Sequence, residues 1–124
     1  MKALLSLTLI AALAAGNVWA GEGCSYPKGP EKIPDGNTAT LQEMLDTQKA
    51  VKLFDANVGL YQTCLDTETA AGIAAQGDKI TEERRKEMLR ITVQKQNAAA
   101  QEVEALAARF NDQLKVYKEK NKKP

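Results

Sequence analysis

Apolar residues fall into three regimes along this chain. The first is a nearly unbroken run from Ala3 to Ala15, interrupted only by Ser6 and Thr8. The second is a stripe through Leu41, Met44, Leu45, Val51, Phe54, Val58, Tyr61 and Leu65, with Cys64 on its border. Its spacings of three, four and seven belong to a helix with one apolar face. The third passes through Leu89, Thr92, Gln96, Ala99, Val103, Leu106, Phe110, Gln113 and Tyr117, flanked by Met88, Ala107 and Leu114. That is a heptad-like seam with polar interruptions at Thr92, Gln96 and Gln113.

Two long helices are therefore predicted. Thr40 followed by Glu43 forms a capping box, in which side chain and backbone satisfy each other's free donors. The first helix runs from there at least to Thr67 and fades near Gly72 or Ala75. Asn57 and Gly59 weaken it midway, since Gly costs about 1 kcal/mol against Ala in a helix interior. Gln76-Gly77-Asp78-Lys79 is the strong break. Thr81 is the next N-cap, and Glu82 and Glu83 stand where the helix dipole favours negative charge. No Gly or Pro follows until Pro124, and the segment is rich in good helix formers.

Ahead of the helices, Gly21 to Asn37 reads as an extended arm. Pro27, Pro30 and Pro34 forbid regular helix, and Asp35-Gly36 signals a turn. Cys24 would tether the arm to the middle of the first helix, with Tyr26 and Ile33 as packing anchors. The expected fold is all-α: a long two-helix antiparallel hairpin with an extended N-terminal arm tethered by a disulfide. A short link favours the antiparallel arrangement. The boundaries are a signal peptide over 1–20, the arm over 21–37, the helical hairpin over 38–119 and a basic tail over 120–124.

The leader has three parts. Lys2 supplies a positive start, Ala3 to Ala15 the apolar run, and Val18-Trp19-Ala20 a small-x-small cleavage site. A retained membrane anchor and a buried core helix are the other readings, but the run is short for a span. Cleavage at Ala20-Gly21 would give a periplasmic or secreted product. Lipidation fits poorly, because Gly21-Glu22-Gly23 separates Cys24 from the cut.

Charge adds a polarity. From Gly21 to Asp78 there are four lysines against nine acidic residues, and from Lys79 onward twelve basic against seven acidic. The two halves cancel, which argues against nucleic acid as a partner. Lys115, Lys118, Lys120, Lys122 and Lys123 form a cationic end. That end could touch an anionic membrane surface, or simply suit a helix C-terminus. The two cysteines, Cys24 and Cys64, are expected to pair in an oxidising compartment.

The chain has no histidine, which removes His-dependent nucleophilic systems and His-ligated metals. No phosphate loop, GxSxG turn or calcium loop is present. The remaining catalytic candidates are carboxylates: Glu82, Glu83 and Glu87, or Asp66 and Glu68. Each lies among helix charges, where a solvated face is the simpler reading. The expectation is no enzyme, no cofactor, and no catalytic or metal residue.

Two resemblances bear on this. Cys24-Ser25-Tyr26-Pro27, Ile33-Pro34-Asp35-Gly36 and Tyr61-Gln62-Thr63-Cys64-Leu65 together resemble uncharacterised small exported proteins of Gram-negative bacteria. That likeness spans the arm and first helix, and implies a paired cysteine set without an activity. More faintly, Ile80-Thr81-Glu82-Glu83-Arg84 is similar to the LTxxQ element of Spy-like periplasmic chaperones, with Ile for the Leu and Arg84 for the Gln. The leading expectation is an exported helical interaction or structural protein of the cell envelope, binding an unknown protein partner or itself. The alternatives are a Spy-like chaperone holding unfolded clients, and an enzyme inhibitor acting through Pro27 to Gly36.

Overall fold

The computed structural model describes residues 23–123. The leader, its cleavage at Ala20-Gly21 and the first two residues of the arm lie outside that range. Helix α1 spans Leu41–Gln76 and helix α2 spans Glu82–Lys120. Each is roughly 55 Å long at about 1.5 Å per residue. The capping box forms: the Thr40 amide donates to the Glu43 carboxylate at 3.0 Å, and the Glu43 amide donates to Thr40 Oγ1 at 3.1 Å. Thr81 caps α2 by accepting from the Arg84 amide at 3.1 Å.

The first helix outlasts its expected end. Gly59 does not interrupt it, because the stripe is buried on both sides, at Val58 and Leu65, which outweighs a local propensity cost of about 1 kcal/mol, and the helix also passes through Gly72, which lies against Met88. The turn comes at Gly77, which takes φ +51°, a conformation that glycine reaches at no steric cost. A single 3₁₀ turn, Gly77–Lys79, then reverses the chain.

The core is the seam between the helices. Met44, Val51, Phe54 and Val58 from α1 meet Ala99, Leu106 and Phe110 from α2. Three expected seam residues lie outside it: Leu41, Leu45 and Leu89 are exposed. At about 100° per residue, Leu45 sits half a turn round from Phe54, and Leu89 some 80° round from Ala99. One facing helix covers too narrow a stripe to reach them.

The polar interruptions of the second seam are matched rather than left to solvent. Thr92 is buried and bonds the hydroxyl of Thr69 across the hairpin. Gln96 and Gln62 bond each other's backbone carbonyls through their side-chain amides, at 3.0 and 3.1 Å. Gln113 Oε1 accepts from the Gly36 amide at 2.8 Å. Each pair ties a given level of one element to a given level of another, because an unmatched buried polar group would cost about 1–3 kcal/mol.

The arm lies in the groove between the helices. Gly23 approaches Glu68, Gly29 rests on Phe54 and Leu106, and Gly36 reaches the stretch from Gln113 to Tyr117. It therefore runs alongside α2 in the same direction and against α1. Ile33 joins the core margin. At Gly36 a Cβ would strike the Gln113 carbonyl and come within 2.7 Å of the Tyr117 nitrogen. Backbone meets backbone there, and only glycine fits.

Candidate functional site

The N-terminal end of the described arm is held by a cluster of side chains from all three elements. Cys24 and Cys64 are disulfide-bonded with Cα atoms 5.7 Å apart. The bond ties the arm to the second half of α1, within Leu41–Gln76, and the pairing is the one expected from their even count and an oxidising compartment. Glu68, one turn on, accepts from the Cys24 amide at 3.3 Å, and its carboxylate oxygen also lies 3.2 Å from the Cys24 sulfur. That sulfur carries no proton in a disulfide, so the second approach is a contact and not a donated bond.

Tyr26 is the neighbouring anchor. Its ring meets Tyr61 edge to face with centroids 5.1 Å apart, a favoured geometry for aromatic pairs. Its hydroxyl donates to the Glu102 carboxylate of α2. The hydrogen bond to Glu102, assisted by burial and by the carboxylate's charge, raises the Tyr26 pKa from 10.0 to about 12. The neutral phenol is the form favoured on folding. Its contribution is therefore complete below pH 10 and is lost as pH climbs from 10 through about 12. A titration that follows Tyr26 alone should place its midpoint at about 12, and Glu102→Gln should bring it back toward 10.0. A Tyr26 midpoint near 10.0 in the parent protein would contradict this assignment.

Toward the turn from Cys24, the described residues leave a further stretch of the groove open. Its walls are Leu65 and Glu68 from α1 with Arg84, Met88, Ile91 and Lys95 from α2, around a shallow hollow of about 160 Å³. Ile91 is 37% exposed, so apolar surface is open to a visitor. On the opposite face of the hairpin a second hollow, about 330 Å³, is lined chiefly by Ala70, Ile73 and Leu89 with Asp66 and Arg85 at its edges. A third lies beside the disulfide, against Leu60, Thr67 and Ala71.

The candidate carboxylates do not converge. Asp66 accepts from Gln96 at 2.7 Å on the face away from the arm, while Glu68 sits on the arm side. Glu82 pairs with Arg85 at 3.2 Å. Glu87 pairs with Arg90 at 2.9 Å, and that hydrogen bond holds the Glu87 carboxyl below its usual range. Glu83 is exposed. Among the described residues no group of three potential metal ligands comes together.

Of the cationic end, Lys115, Lys118 and Lys120 belong to α2, which extends one residue into the expected tail. Lys122 follows it, 3.9 Å from Glu119, and Lys123 is exposed. Among the described residues no helix is long and apolar enough to cross a membrane.

Tyr26–Glu102 and Cys24–Glu68 were not anticipated from the sequence. Neither pair shares a local motif, and only the path of the arm brings them together. Comparison with protein-family models, curated proteins and solved structures finds no match to this chain.

Proposed function

We propose that this chain is an exported interaction protein of the cell envelope that binds rather than catalyses, and that a partner docks in the turn-ward end of the arm's groove. The observation that carries the reading is the continuity of that groove. Its first part is filled by an extended segment of the chain itself, and its second part keeps an apolar floor at Leu65, Met88 and Ile91. A groove of one shape along its length suits a second extended segment. Arg84 and Lys95 on the rim form no ion pair among the described residues, while Glu68 opposite is already engaged by Cys24. The occupant is therefore an extended polypeptide with an apolar side chain flanked by acidic groups.

The disulfide is compatible with a compartment outside the cytoplasm, and the leader expected over 1–20 would supply the route to periplasm or medium. An inhibitor working through Pro27 to Gly36 draws less support, since that segment is seated between the helices with Gly36 buried. The scattered carboxylates favour the non-enzymatic reading.

A photoreactive side chain placed at Ile91, in the oxidised protein mixed with envelope extract, should crosslink to a discrete protein. The same probe at Glu104, exposed on another side of α2, should not. Arg84→Glu with Lys95→Glu should abolish the Ile91 product. No product from Ile91, or equal products from both positions, would refute the assignment.

A further inference from the structure

The face opposite the arm carries a second seam that the hairpin uses only in part. On α2, Leu89, Val93, Gln96, Ala100, Val103, Ala107, Phe110 and Leu114 recur at alternating steps of four and three, the period of a helix that packs along its whole length. Val103, Ala107, Phe110 and Leu114 are shared with the α1 interface. Leu89 and Val93 are 44% and 51% exposed, although one is a Leu and the other a Val. On the side away from the arm, α2 thus keeps Leu89 and Val93 without a covering element among the described residues.

We infer that the second neighbour is another copy of this chain, face to face across a two-fold axis that lies crosswise to the helices. The argument is self-complementarity. A crosswise two-fold sets α1 antiparallel to α1 and α2 antiparallel to α2. Centred between Ala100 and Val103, it matches Leu89 with Leu114, Gln96 with Ala107, and Ala100 with Val103 of the second copy. Thr69 and Thr92 share a level in the hairpin, so the same axis passes α1 at Gly59.

On α1 this register is as consistent. Gly59 meets its own copy, and a Cβ there has nothing within 4 Å, so the backbones can approach. Lys52 falls opposite Asp66 of the second copy, twice by symmetry, and Lys52 makes no ion pair within its own chain among the described residues. Leu45, left 41% exposed, falls opposite Ile73. The alternative two-fold, along the helices, would lay the apolar α2 seam over Lys52, Asp55 and Asp66 and is disfavoured.

The area is sufficient. The seam from Leu89 to Leu114 spans roughly 38 Å at about 1.5 Å per residue. Two helices side by side at about 8–10 Å give a face nearly 20 Å wide. The product, on the order of 750 Å² per copy, is close to the ~800 Å² per partner of a standard stable interface. This surface is on the opposite side from the groove discussed above, so the two readings stand or fall separately.

Sedimentation equilibrium of the oxidised chain from Gly21 to Pro124 tests it. A dimer should be present at tens of micromolar, the range expected for a modest interface. Val93→Glu should make it monomeric. Lys52→Glu should weaken association about tenfold or more, because like charges then face each other at two places. Adding Asp66→Lys to Lys52→Glu should restore it, which a merely destabilised hairpin would not do. Gly59→Gln raises helix propensity, so it should keep the hairpin by circular dichroism while blocking the close crossing. A monomeric parent at about 100 µM would overturn the inference. So would a dimer that none of these substitutions disturbs, or one that the charge-swapped pair fails to restore.

Discussion

Replacing Cys24 and Cys64 together by Ser is expected to lower the stability of the chain by about 4 kcal/mol, the chain-entropy value for closing a loop of this size. The two cysteines are separated by 40 residues. A domain with a total of about 5–15 kcal/mol would lose a large part of it. The loss should also be uneven. The arm's remaining hold is the Tyr26 pair at one end and the Gly36 wedge at the other, so its amides should exchange with solvent early while the seam around Ala99 and Leu106 stays protected. Chemical denaturation gives the magnitude and hydrogen exchange the distribution. Uniform protection across arm and helices in the double Ser variant would show that the disulfide does not govern the arm.

The second large effect is expected at Phe54. Its ring is 2% exposed and belongs to the cluster shared by both helices. A Cβ on Gly29 would lie 3.3 Å from that ring, so the arm rests on it as well. Truncating a buried Phe costs about 3–5 kcal/mol from lost burial and the cavity left behind. Phe54→Ala should fall in that range by denaturant titration. It should also loosen the arm near Gly29, even with Cys24 still bonded. A loss below about 1 kcal/mol would mean that the arm collapses into the space, contrary to the rigid seat described here.

Much of this architecture could be read from residue order. Thr40 with Glu43, Thr81 with Arg84's free amide, and the glycine at 77 are local signals, and they fix both helices and the turn within a few residues. The even cysteine count located the tether. The sequence did not tell which way each stripe faces. Leu41, Leu45 and Leu89 share the periodicity of the core, but periodicity alone cannot say how wide a stripe one partner helix covers. The roles of Thr92, Gln96 and Gln113 were hidden for a related reason. A polar residue in a seam reads as solvent access until its mate is known, and here the mates are Thr69, Gln62 and the Gly36 amide, distant in sequence. The groove and its cationic rim depend on how the arm crosses the two helices, which is a matter of path and not of pattern.

The carboxylate of Glu68 beside the disulfide has a consequence for thiol exchange. Exchange begins when a thiolate attacks one sulfur and expels the other as a thiolate. An anion approaching Cys24 would be repelled by Glu68, whose oxygen lies 3.2 Å from that sulfur. An anion attacking Cys64 instead would have to expel a negative charge from Cys24 into the same field, and a neighbouring carboxylate disfavours that leaving group. Both routes are slowed by one side chain. The bond therefore resists reshuffling by thiols that meet it at the surface, and the arm, once stapled, stays in its groove.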